Sequence, residues 1–199
     1  SGALVADTGA CRRAVAQATA DADADPGNVS FAIAAARAQL NAGHTALDLV
    51  SAGRDDEHGS VGAAAAAAFG RGLAVPAGLG GAAAGNAMLR TVRADAAIGL
   101  GSLHFTRGSA TPGAAGAPLL WRAVLAFRQA AALAPHVHGT GVNLCQVTLE
   151  YDRRCRSQAG TAQAPSKGER RVWLEAAAHA YDTAIAGQAS LANAPLRRA

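Results

Sequence analysis

Large apolar and aromatic side chains are scarce in this 199-residue chain. Aromatic residues make up 4 %, and although 50 % of residues are hydrophobic, 55 of the 199 are alanine, more than half of that share. Strands draw on β-branched and aromatic side chains for their packed faces. No stretch here alternates apolar and polar with period two over a strand's length. Both absences argue against an all-β protein. Charge is low as well, at 16 % of residues with a net +4, far from the composition of a disordered chain. Lysine is almost missing: the 18 basic residues are 17 arginines and Lys167, a skew expected of a GC-rich bacterial genome. A net +4 over this length is a small electrostatic footprint, so nucleic acid is not the expected partner.

Cysteine is limited to positions 11, 145 and 155, with no CxxC, CxxCH or zinc-ligand spacing. A Cys145–Cys155 bridge requires a helix to end between them. Within one helix, ten positions separate the two by about 15 Å along the axis, beyond disulfide reach. Buried thiols are the expectation. Long apolar runs are missing too. The uncharged segment 72–89 contains Pro76 and five glycines, whereas a membrane span takes about 20 mainly apolar residues. No transmembrane segment is expected. The chain begins Ser1-Gly2 without methionine. With cysteines in no metal pattern, this favours an exported, periplasmic mature form over a cytoplasmic one.

What is abundant is alanine, the best intrinsic helix former, whose small side chain also lets helices approach closely. Helices are predicted at 8–24, 29–41, 45–52, 61–71, 86–106, 119–133, 141–153 and 172–186. Asp25-Pro26-Gly27-Asn28 turns the chain after the first, Gly43 ends the second, Asn86 caps the fifth and Pro135 stops the sixth. In 119–133, Leu120, Val124, Phe127 and Ala131 recur at helical spacing. Segments 107–118 and 156–168 are predicted loops.

One segment carries a recognisable pattern. Residues 123–135 read Ala123-x3-Phe127-x2-Ala130-x4-Pro135. This resembles the second-helix signature of a tetratricopeptide repeat, and Leu100-Gly101 with His104-Phe105 resembles its first-helix signature. Leu144-Cys145-x2-Thr148 and Ala177-x3-Tyr181-x2-Ala184 are similar in turn, as is a degenerate repeat after Pro26. In that family small residues let paired helices approach and the aromatic fills the space between repeats. The resemblance implies an all-α fold: one domain over 1–199, an α-solenoid of seven or eight helices in antiparallel pairs. Its repeats would lie near 26–53, 87–135 and 137–189. Gly101 to Ala123 spans 22 positions and Cys145 to Ala177 spans 32, against about 12 in a regular repeat. Long insertions are therefore expected within the repeats, at 106–119 and 154–168. Phe127 and Tyr181 should be buried, with Ala123, Ala130, Ala177 and Ala184 at close contacts.

Chemistry-bearing motifs fail one by one. Asp21, Asp23 and Asp25 have the spacing of the first EF-hand ligands, but Pro26 and Ala32 stand where Gly and Glu are required. His136 and His138 could hold a metal only with distant help, from His104 or His179. There is no Walker A loop, G-x-S-x-G elbow or G-x-G-x-x-G. No cofactor, metal or catalytic constellation is predicted, and the protein is read as a non-enzyme. Glu150 and Asp152 adjoin a basic segment and are expected to pair with it. That segment holds Arg153, Arg154, Arg156, Lys167, Arg170 and Arg171, with Tyr151 and Trp173 interleaved.

The resemblance implies a protein–protein interaction or scaffold module, an accessory subunit of a larger bacterial complex. In such repeats the first helices line the inner face. That places Arg93, His104, Asn143 and Gln146 at the partner, followed by Arg153, Arg154 and Arg156, with an acidic peptide or terminal carboxylate as ligand. The competing expectations are a helical periplasmic carrier for a small molecule or lipid, and, for the arginines, helix capping.

Overall fold

A computed structural model describes residues 2–55, 59–74, 79, 81, 85–135, 137–157 and 166–192. Among these residues the fold is all-α. Seven α-helices are present, α1 (Gly2–Ala24), α2 (Val29–Ser51), α3 (Ser60–Leu73), α4 (Ala87–Ala110), α5 (Ala117–Leu133), α6 (His138–Ser157) and α7 (Lys167–Ala192), with a 3-10 turn at Gly113–Gly116. No strand occurs among the described residues. None of these helices is long and apolar enough to cross a membrane. The chain divides into two compact units, residues 1–103 and 104–199, the division falling within α4.

Local chemistry accounts for several helix ends. Asn28 caps α2, its Oδ1 accepting from the backbone N–H of Ser30 at 3.0 Å and of Phe31 at 3.4 Å. The same amide donates to Asp25 at 3.2 Å, so Asp25 belongs to the turn. Asn86 caps α4 as predicted, accepting from Leu89 N–H at 3.0 Å. Ala134 N–H closes on the Ala130 carbonyl at 2.9 Å before Pro135 ends α5. A capping box starts α7: Ser166 Oγ accepts from Glu169 N–H at 3.2 Å, and the Glu169 carboxylate accepts from Ser166 N–H at 2.8 Å. The helix therefore begins at Lys167, earlier than the predicted 172.

The break expected at Gly43 does not exist. One helix, α2, runs from Val29 to Ser51 where two were predicted. It ends ten residues later, at Gly53, whose φ is +70° and where Arg54 N–H reaches the Leu49 carbonyl at 2.9 Å. Gly43 instead gives room to Phe69 of α3: a Cβ there would lie 2.6 Å from the ring. Gly99 of α4 plays the same part, since a Cβ on it would overlap the same ring. Phe69 is fully buried between the two glycines, with His44 edge-on at 5.2 Å between ring centroids. Val50, Ala65 and Leu103 complete this core.

In the first unit α1 packs on α2 and α2 on α3; in the second, α5 packs on α6 and α6 on α7. The core of the second unit uses Leu120, Ala123, Val124, Phe127 and Ala130 of α5, Leu144 and Val147 of α6, and Ala177 of α7, all buried. Phe127 and the three alanines are thus buried, as expected. Tyr181 is only half-buried. The side chain of Ala184, residue His136, the segment 158–165 and the tail 193–199 lie outside the described residues.

Candidate binding site

Helix α6 builds the site in the second unit. Gln146, Leu149, Glu150 and Arg153 stand at i, i+3, i+4 and i+7, so they share one helix face. Phe105 and Ser109, one turn apart on the last part of α4, face them across an open groove of about 480 Å³. Leu149 is 54 % exposed, an apolar side chain left at the rim.

Arg154 fixes the junction beneath this groove. Its Nη1 donates to the Thr111 carbonyl at 2.8 Å and the Gly113 carbonyl at 3.1 Å, and its Nη2 to the Ser109 carbonyl at 3.1 Å. These carbonyls close the C-terminal end of α4, where the last helical acceptors lack intrahelical partners and the helix dipole is negative. Gly116 is required at the same junction, because a Cβ there would collide with the Gly108 and Thr111 carbonyls.

Carboxylates organise the remaining arginines. Glu150 accepts from Arg153 Nε at 2.8 Å and Nη2 at 2.7 Å, and from Arg154 Nε at 3.0 Å. The Arg153 hydrogen bond, followed by that of Arg154, holds its carboxyl below the usual range. Asp152 is buried and accepts from Arg156 Nε at 2.7 Å, with Arg170 Nε at 3.5 Å. The expected pairing of both acids with the basic segment is therefore present.

Behind the acid pairs the chain's two tryptophans meet one of its two tyrosines. Trp121 of α5 lies 4.3 Å from Trp173 of α7 and 5.5 Å from Tyr151 of α6, between ring centroids. The rings are tilted by 32° (Trp121–Tyr151) and 38° (Trp121–Trp173) and pack against one another. Burial and a hydrogen bond with Cys155 push the Tyr151 hydroxyl well above its ordinary range. Burial likewise raises the Cys155 thiol, which suppresses the thiolate and makes it a packing group.

The predicted partner-binding residues fall into separate environments. Gln146 and Arg153 line the groove. Asn143 lies half-buried one turn earlier on α6. His104 adjoins Phe105 on α4 and is half-buried; burial, then the charges of Arg122 and Arg107, push it below its ordinary value. Arg154 is turned to the end of α4 and Arg156 is paired with Asp152. Arg93 belongs to the first unit, where its Nε donates to the Leu73 carbonyl at 3.0 Å, at the last residue of α3. Arg93 and Arg154 thus each serve the C-terminal end of another helix.

Phe105, Ser109, Leu149 and Glu150 complete the groove without having been predicted as site residues. For the α6 residues the signal was present, as a four-member face at helical spacing. No group of three or more metal-ligating side chains converges among the described residues. All three cysteines are free, and Cys145 and Cys155 lie within the unbroken α6, which excludes a bridge between them. No protein-family model, curated protein or solved structure matches the chain.

Proposed function

We propose that this protein is a non-enzymatic helical interaction module, of tetratricopeptide-like solenoid design, that takes a segment of a protein partner in the groove between α4 and α6. The observation that carries the reading is the groove itself. An apolar pair, Phe105 and Leu149, is flanked by Ser109, Gln146 and the Glu150–Arg153 ion pair. Such a mix fits a polypeptide: an apolar side chain seats between Phe105 and Leu149, and the flanking groups meet its backbone. Glu150 occupies Nε and Nη2 of Arg153, which leaves the Nη1 donors for a carboxylate of the partner. The burial of Ala123, Phe127 and Ala130 on α5 supports the solenoid design, in which these positions seat the neighbouring helix.

The test compares capture of partner proteins from native extract by the wild type and by Leu149→Asp and Arg153→Glu. Both side chains are exposed, so the helical circular-dichroism signal should be unchanged. The expected result is loss of the same captured polypeptide from both variants. Undiminished capture by both refutes the groove as the binding site.

A further inference from the structure

The first unit holds a second cavity, in which the α4–α6 groove has no part. We propose that it binds an amphiphilic carboxylate, an anion with a single unbranched aliphatic tail. The cavity has a volume of about 500 Å³ and lies between α1, α2 and α3, within the size range of small-molecule sites. It is elongated. Val61, Ala64, Ala68 and Arg71 of α3 all line it, and ten residues of helix extend about 15 Å. On α2 the lining runs in the opposite sense, from Gln39 beside Arg71 to Leu49 at the far end.

Its walls are mainly apolar, with Gln39, Thr45 and Ser60 as neutral polar groups, and cationic where charged. Val15, Leu49 and Val61 with the intervening alanines offer hydrocarbon contact. Arg12 and Arg71 also line the cavity, and among the described residues no Asp or Glu does. A cationic lining without a counter-charge selects an anionic ligand. Arg71 is already oriented to meet one. Its Nε donates to Gln39 Oε1 at 3.0 Å, and Gln39 is buried, at 7 % exposure. That bond orients the guanidinium plane and leaves the Nη donors to grip a carboxylate. The tail then lies along Ala68, Ala64 and Val61. Cys11 of α1, whose Sγ is 3.7 Å from Thr45 Oγ1, also lines the cavity and reports occupancy.

The experiment uses the full chain with decanoate, decanol and acetate as probes, and follows alkylation of Cys11 by peptide mass spectrometry. Decanoate should bind saturably and slow Cys11 alkylation about tenfold. Decanol should protect less, and acetate not at all. Arg71→Gln should weaken decanoate about tenfold while leaving decanol unchanged, the effect of losing one charged hydrogen-bonding partner. Ala64→Trp should abolish protection by filling the cavity; Ala64 is exposed, and Ala42→Leu serves as a second filling variant. Unchanged Cys11 reactivity with decanoate overturns the proposal, as does protection that survives both filling variants. Equal binding of decanoate and decanol overturns the carboxylate. Protection of Cys11 by self-association alone, seen as a concentration-dependent rate without any probe, would assign the cavity to a second copy of the chain and likewise overturn it. Because these residues lie in the first unit, none of these outcomes bears on capture of a partner through Leu149 and Arg153.

Discussion

Arg154 Nη1 donates to the Thr111 carbonyl at 2.8 Å, joining positions 43 residues apart in the sequence. Only 13 % of the Arg154 side chain is exposed, against 68 % for Arg153 next to it. Two adjacent arginines that share Glu150 therefore do different things. One clamps the end of α4; the other stands at the rim of the groove.

Their mutants should separate accordingly. Arg154→Ala removes hydrogen bonds from a charged donor to three carbonyls and should cost about 1.5–3 kcal/mol. Arg153→Ala loses only a solvent-screened ion pair and should unfold close to the wild-type midpoint. Urea unfolding of the two variants measures the difference. Equal losses would show that the Arg154 clamp contributes nothing beyond a surface pair.

The Phe69 notch makes a second prediction. Gly99→Ala drives a methyl into a buried ring and should destabilise by about 1–3 kcal/mol, despite replacing glycine by the better helix former. Phe69→Ala alone should cost about 3–5 kcal/mol. In the Phe69→Ala background the Gly99→Ala penalty should vanish, because the space it needs is then empty. A double-mutant cycle on denaturation midpoints checks this. Additive losses would place the strain elsewhere.

Acid should weaken the fold in two stages. His104 is lowered in the folded state, chiefly by burial, so the unfolded chain binds a proton first as pH falls below 6.5. Its contribution is present above that value and is lost as pH falls through the depressed folded value. Glu150 is also lowered, by its hydrogen bonds from Arg153 and Arg154, so its contribution is lost on going below 4.5. Unfolding midpoints measured from about pH 7.5 to about pH 3 should decline over both ranges. His104→Gln should flatten the first decline and Glu150→Gln the second. A profile identical to wild type in both variants would mean that other groups govern the acid response.

The sequence was most legible where a helix ends by chemistry local to the chain. Asn28, Asn86 and Pro135 act within a few residues of themselves, so their roles follow from type and position. Ser166 and Glu169 carry an equally local signal, yet the polar stretch around them reads as loop until the reciprocal bonds are seen. The pairing of Glu150 and Asp152 with nearby arginines was legible for the same reason, since three- and four-residue spacing suffices. Gly43 and Gly53 show the limit. Each follows a predicted helix, but Gly43 makes room for Phe69 within α2 and Gly53 takes a left-handed φ beyond its end. The choice depends on a residue 26 positions beyond Gly43, which no local pattern contains.

The sequence by itself determined the class of the fold. Alanine content, helical spacing and the absence of alternating stretches leave helices as the only way to satisfy the backbone while burying so little large apolar surface. It also determined that Leu120, Val124 and Phe127 share a buried face, because periodicity within one helix is a local property. The tertiary structure decided which cations are engaged within the fold. Arg93 and Arg154 are engaged at the ends of α3 and α4, Arg156 is engaged with Asp152, and Arg153 remains at the rim of the groove. A side chain's charge is written in the sequence, but its hydrogen-bond partners are set by which helix ends the packing brings within about 3 Å.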